Sequence, residues 1–178
     1  MNMPAAATAA TAPDQRGVRR RDREITARAD IDAILADTTV MHLALADGDC
    51  PFVVPVYFAY DGQALYFHSA GAGTKIDILR RNPRVCFEMS VEQGFIAADM
   101  ACDFEARHRT AIGFGRAHFV EDEAAKVEAL NRIVARFSST PFAFPKNRVA
   151  HTTVVRIDIE ALRGKQHGFA RAAAAQAD

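Results

Sequence analysis

The chain has no tryptophan and only three cysteines, Cys50, Cys86 and Cys102, scattered without a Cys-x-x-Cys pair. An odd, sparse set argues against a disulfide framework and fits a reducing compartment, so a cytoplasmic protein is expected. Formal net charge is zero, which removes the global field that draws nucleic acid or acidic membrane surfaces. No apolar run approaches the ~20 residues of a membrane-spanning helix, so neither a membrane nor nucleic acid is expected as a partner. A Walker-type loop and a Gly-x-Ser-x-Gly elbow are both missing, which leaves nucleophilic catalysis without a motif. No repeat with a period of 20 to 50 residues exists, which excludes solenoids and propellers.

What remains is ordinary globular composition, 49% apolar and 25% charged. It is enough for one domain with a real core. Residues 1–18 read as a disordered leader, because their Ala/Thr-rich start has neither the basic end nor the leucine-type run of a secretory signal. The five arginines between Arg16 and Arg23 are interrupted by Asp22 and read as a solvated segment. The alanine-rich residues 165–178 read as a tail with little reason to order.

Between them the pattern is mostly that of strands. A short helix, Asp30 to Leu35, places Ile31, Ile34 and Leu35 on one face, with Asp30 as a plausible cap. Strands are expected at Thr39–Ala46, Phe52–Tyr60, Ala64–Ser69, Arg84–Val91, Arg109–Val120 and Thr152–Ile159. Asp47-Gly48-Asp49 and Asp61-Gly62 supply the turns. Pro55 inside the second strand marks an edge, a bulge or a ligand's place, since it cannot donate a ladder hydrogen bond. A helix from Thr74 to Arg81 carries an approximate capping box, Thr74 with Asp77. Another follows Glu121-Asp122-Glu123. Glu92 to Glu105 and the Phe142-Ala143-Phe144-Pro145 link read as loops. Gly113 and Gly115 share a face with Ala111 and Ala117, so another backbone, a helix or a flat ligand can approach there. The sum is a mainly β, α+β domain over 19–164: six antiparallel strands curled into a small barrel, with flanking helices.

Chemistry concentrates between Leu65 and Leu79. His68 sits where the third strand runs out, on the face opposite Leu65 and Phe67. Ser69, Thr74 and Lys75 bracket a glycine-rich turn that opens a helix. Free N–H groups, two hydroxyls and an ammonium suit a phosphate, although a capped helix after a flexible turn accounts for the same pattern. Cys102-Asp103 with His108 comes nearest to a metal cluster, and its spacing fits no known ligand set, so no metal is expected.

The order of these features resembles the nitroimidazole-resistance branch of the pyridoxamine 5′-phosphate oxidase-like flavoproteins. The resemblance runs from about Arg19 to Gly164 and rests on Phe52-Val53-Val54-Pro55-Val56-Tyr57-Phe58, Leu65-Tyr66-Phe67-His68-Ser69-Ala70, Lys75-Ile76-Asp77, Asn82-Pro83-Arg84-Val85-Cys86-Phe87-Glu88 and Arg109-Thr110-Ala111-Ile112-Gly113-Phe114-Gly115. It implies a split β-barrel homodimer with FMN at the subunit interface, F420 being the cofactor of related barrels. It further implies that the backbone of Val53, Val54, Pro55 and Val56 lines the flavin ring and that Phe67 and His68 flank it. Ser69, Thr74 and Lys75 would hold the phosphate, with Arg109 and Thr110 approaching from the fifth strand. His68 is then the candidate catalytic residue toward a small-molecule substrate in an oxidoreductase, such as a nitroaromatic reductase, or an idle group in a flavin carrier. The tryptophan- and arginine-rich carboxyl-terminal motif of true pyridoxamine phosphate oxidases is absent, so vitamin B6 oxidation is not expected.

Overall fold

The computed structural model describes residues 17–140 and 142–169. Most of the expected leader and residues 170–178 of the expected tail lie outside them. The domain is a single antiparallel sheet of eight strands, curled into a split barrel with helices packed on it. In chain order the elements are β1 (Glu24–Ile25), α1 (Arg28–Asp37), β2 (Val40–Asp47), β3 (Cys50–Tyr57), β4 (Ala59–Tyr60) and β5 (Ala64–Ser69). Then come α2 (Thr74–Arg81), β6 (Arg84–Ile96), β7 (Glu105–Val120), α3 (Glu123–Val134), α4 (Lys146–His151) and β8 (Thr153–His167). The strand order is β3-β2-β6-β7-β8-β5-β4, with β1 added to β8.

The architecture agrees with the expected barrel, while the strand count rises from six to eight. The expected second strand divides at the fully buried Phe58. Before it, β3 pairs with β2; after it, β4 pairs with β5, so the chain changes partner at that residue. Glu92 to Glu105 is only partly a loop: β6 runs on to Ile96, with a bulge between Glu92 and Phe95, and the loop that remains before β7 carries a short helical turn at Ala101–Asp103. Pro145 precedes α4, a helix missed because six residues hold too little periodicity to read. The basic run is partly anchored: Arg23 pairs with Glu105 at 2.7 Å, and Glu24–Ile25 joins β8. β8 reaches His167 instead of ending at Ile159.

One core fills the barrel, built on Leu43, Phe58, Leu65, Phe67, Phe87, Met89 and Ile157. A smaller cluster of Ala129, Leu130, Val149 and Val154 seats α3 and α4 on the outer face. Asp122 caps α3 by accepting from the Ala125 N–H at 2.8 Å, as acids at a helix amino end should. The two-residue turn Gly48–Asp49 has Gly48 at φ 60°, which fixes the β2–β3 register from Asp47 opposite Cys50.

The small-residue face of β7 receives protein and not a ligand. A side chain at Gly113 would overlap the Phe87 ring and lie 2.9 Å from the Ala161 carbonyl oxygen; at Gly115 it would overlap the Asp158 carbonyl of β8. Gly113→Ala is therefore expected to cost about 1–3 kcal/mol by overpacking. Urea unfolding should show a lower midpoint, partly restored by adding Phe87→Leu. An unchanged midpoint for the single variant would contradict this packing.

Candidate functional site

β5 ends at Ser69, and the chain turns through Ala70 to Gly73 into α2. Gly73 is the residue that caps the helix, with φ 120° and ψ 165°, a conformation that only glycine takes without strain. Its carbonyl accepts from the N–H groups of Ile76 and Asp77 at 2.9 and 3.0 Å. The expected capping box is thus not formed. Thr74 is the first helical residue, no side chain caps the helix, and Asp77 lies 3.7 Å from Arg80 instead. The consequence favours a ligand: the Thr74 hydroxyl is not spent on capping, and the first N–H groups of α2 have no partner within the helix.

Lys75 follows at the same end. Its Nζ lies 5.8 Å from the centroid of the Phe67 ring. It makes no ion pair with any carboxylate among the described residues, and burial pushes the ammonium below its ordinary pKa. A half-buried cation without a counter-charge, beside the positive end of a helix, is a donor set that fits an anion of the phosphate type. Ser69 sits opposite Thr153 at the start of β8. His68 is exposed at the rim, and its imidazole makes no side-chain hydrogen bond or ion pair among the described residues.

Phe67 requires a correction. Its side chain is fully buried in the core, because the strand alternation that turns His68 outward turns Phe67 inward. Only its backbone borders the rim. On β3, Val53 is 64% exposed and Pro55 is also exposed, while Val56 is buried and Val54 packs on the core. β3 is the outermost strand, and its unpaired edge comes near β5. The edge position explains how Pro55 is tolerated. Val53 to Val56 pair with β2 on one side, and their other edge has no strand partner among the described residues.

Arg109 and Thr110 lie elsewhere. Thr110 pairs with Lys165 on β8, whereas Ser69 pairs with Thr153. From 153 to 165 is twelve residues, roughly 40 Å along an extended strand. The structure does not bring these two groups together within one chain. Arg109 is largely committed: it contacts Asp37 at 2.9 Å and lies 5.2 Å from the Phe169 ring centroid. Its buried Nε is left without a hydrogen-bond partner.

Around Thr110 the structure adds residues that the sequence did not single out. His42 on β2 contacts Glu88 at 3.0 Å, and Glu88 accepts from the Ser90 hydroxyl. Ser90 Oγ meets Thr110 Oγ1 at 2.9 Å, and His108 Nδ1 meets it at 3.1 Å. This hydrogen-bonded row crosses three strands on the outer face. A cavity of about 410 Å³ opens beside its His42 end and one of about 420 Å³ beside its His108 end. Burial, then the charges of Lys165, His167 and Arg23, hold the His108 pKa below its usual value. The polar alternation of Glu88 and Ser90 was visible in sequence; the register that aligns them with His42 and Thr110 was not.

Known proteins share this fold. A solved structure described as a candidate 5-nitroimidazole antibiotic resistance protein, from Bacteroides thetaiotaomicron, is 28% identical, with a TM-score of 0.72 over 80% of this chain and 85% of the other. The flavocytochrome Anf3 from Azotobacter vinelandii shares the fold at a TM-score of 0.78, with 24% identity over 86% of this chain and 73% of the other. An uncharacterized protein of Rhizobium meliloti (strain 1021) is 32% identical over 66 residues, 37% of this chain and 43% of that protein's length. The model of the pyridoxamine 5′-phosphate oxidase family matches residues 27–166. With the split barrel and its match over most of its length, this chain belongs to the pyridoxamine 5′-phosphate oxidase family.

Proposed function

We propose that the chain is a flavin-dependent oxidoreductase of the nitroimidazole-resistance branch, using FMN or a close flavin analogue such as F420. It would act in the cytoplasm on a small nitroaromatic molecule, with electrons from a nicotinamide donor. The observation that carries the reading is Lys75, a half-buried ammonium without a carboxylate at the uncapped start of α2. The Bacteroides protein, 28% identical over most of both chains, supports the choice of branch.

In this reading Ser69, Thr74 and Lys75 hold the phosphate, and the open edge of β3 at Val53 to Val56 faces the ring system. The backbone of Phe67 and the imidazole of His68 border it. The flavin, when bound, supplies the electron transfer, and the protein supplies binding and orientation. His68, exposed and uncommitted, is the group able to hold or protonate a substrate. Arg109 and Thr110 cannot reach the phosphate turn of their own chain, so the complete site is formed by two copies, each lending its β7 to the other. In sedimentation equilibrium the protein should therefore behave as two 19.4 kDa chains. A monomer that binds flavin fully would contradict the shared site.

Lys75 gives a test with a definite sign. Because burial lowers its folded pKa, the unfolded chain holds this proton to higher pH than the folded one. The resulting loss of stability is fully present at neutral pH and disappears only as pH rises through the unfolded value near ~10.4. Lys75→Met should thus melt no lower than the parent at neutral pH without flavin. Its flavin affinity should fall tenfold or more, since a charge-assisted hydrogen bond is worth about 1.5–3 kcal/mol. A lower melting temperature with unchanged affinity would assign Lys75 to structure instead.

His68→Ala separates a reductase from a carrier. Flavin affinity should stay within about twofold, while nitroaromatic turnover falls by about two orders of magnitude, the range of general acid–base assistance. Unchanged turnover would remove His68 from the chemistry.

A further inference from the structure

The hydrogen-bonded row across β2, β6 and β7 has a direction. As a carboxylate Glu88 can only accept, so the Ser90 hydroxyl gives it its one hydrogen. The 2.9 Å contact between Ser90 Oγ and Thr110 Oγ1 then needs the hydrogen of Thr110. With that hydrogen committed, Thr110 can only accept at its 3.1 Å contact with His108, so the proton of the imidazole sits on Nδ1. Burial, then Lys165, His167 and Arg23, hold the His108 pKa below its ordinary value against the opposing charge of Glu92, and the ring is neutral at pH 7. A neutral imidazole protonated at Nδ1 has a bare lone pair at Nε2. Nε2 has no hydrogen-bond partner among the described residues.

His108 also lines the cavity of about 420 Å³, a size within the ~300–1,000 Å³ of small-ligand sites. Its other walls are Val18 and Arg19 of the amino-terminal segment, Ile112 and Phe114 of β7, and Lys165 of β8. His108, Ile112 and Phe114 share the outer face of β7, where Ile112 is 44% exposed. The floor is therefore apolar, with one hydrogen-bond acceptor beside it. No carboxylate lines the cavity among the described residues, and Arg20, also on its wall, is held by Asp22 at 2.6 Å. Next to Lys165 and Arg19, a cationic donor is disfavoured and a neutral one is not. A metal ion is disfavoured too, because the described residues contain no group of three His, Cys, Asp or Glu side chains placed to hold one.

We infer that this cavity takes a neutral aromatic ligand with a hydrogen-bond donor, a phenol, whose ring lies on Ile112 and Phe114 and whose hydroxyl gives its hydrogen to His108 Nε2. The row keeps the imidazole in the accepting tautomer, so Ser90 is a positioning residue that acts through Thr110 and His108. The inference does not rest on the flavin reading.

The test is nitrogen-15 NMR of the purified full chain at neutral pH, with the His108 ring signals assigned by their loss in His108→Gln. Nδ1 should be protonated and Nε2 bare; the opposite tautomer overturns the inference. Followed on the same signals, phenol should bind about two- to tenfold more tightly than anisole, its methyl ether, the range of one neutral hydrogen bond. In Ser90→Ala, Thr110 loses its acceptor and can donate to Nδ1, so the proton should move to Nε2 and the preference for phenol should disappear. Equal binding of the two probes to the parent, binding of neither, or a phenol preference that survives Ser90→Ala each overturns the inference. None of these outcomes touches the flavin reading.

Discussion

β8 is the rail on which the whole molecule is registered. It pairs with β7 along nearly its entire length, with β5 over its first residues, and with β1 near its end. Pairing on a pleated sheet fixes both neighbour and face, because a slip of one residue would exchange core and solvent sides on every partner. The ladder therefore sets Ser69 and the turn at one end of the rail, beside Thr153, and Thr110 with its polar row at the other, beside Lys165. The separation of these two groups is a consequence of strand register, and in the proposed reading a second copy unites them.

The turn itself is organised by what it leaves unsatisfied. Gly73 ends the approach with a backbone conformation closed to other residues, and the helix starts without a side-chain cap. The positive end of α2 and the ammonium of Lys75 then occupy one small region with no carboxylate between them. Such an arrangement costs stability in the empty protein, as the depressed Lys75 pKa indicates. In the proposed reading, an arriving anion offsets that cost and so gains affinity.

Much of this was legible in the chain. Alternating apolar residues marked the long strands, Asp-Gly pairs marked the hairpin turns, and the glycine-rich turn before Thr74 marked the start of the helix. The division at Phe58 was not legible, because one continuous apolar stretch serves two different partner strands. The hairpin arm beyond Glu92 was hidden by its bulge, which breaks the period of two. Phe67 illustrates a subtler limit. Its position beside His68 suggested a shared role, yet neighbouring strand residues face opposite sides, and the ring belongs to the core. The row from His42 to His108 joins residues on separate strands, and only strand register brings them together.

The central claim is that the uncapped turn around Lys75 holds a flavin phosphate. The visible absorption spectrum of the protein, mixed with flavin and then desalted, tests it most directly. Flavin absorbance should travel with the protein at one equivalent per chain. A protein that emerges colourless would contradict the account.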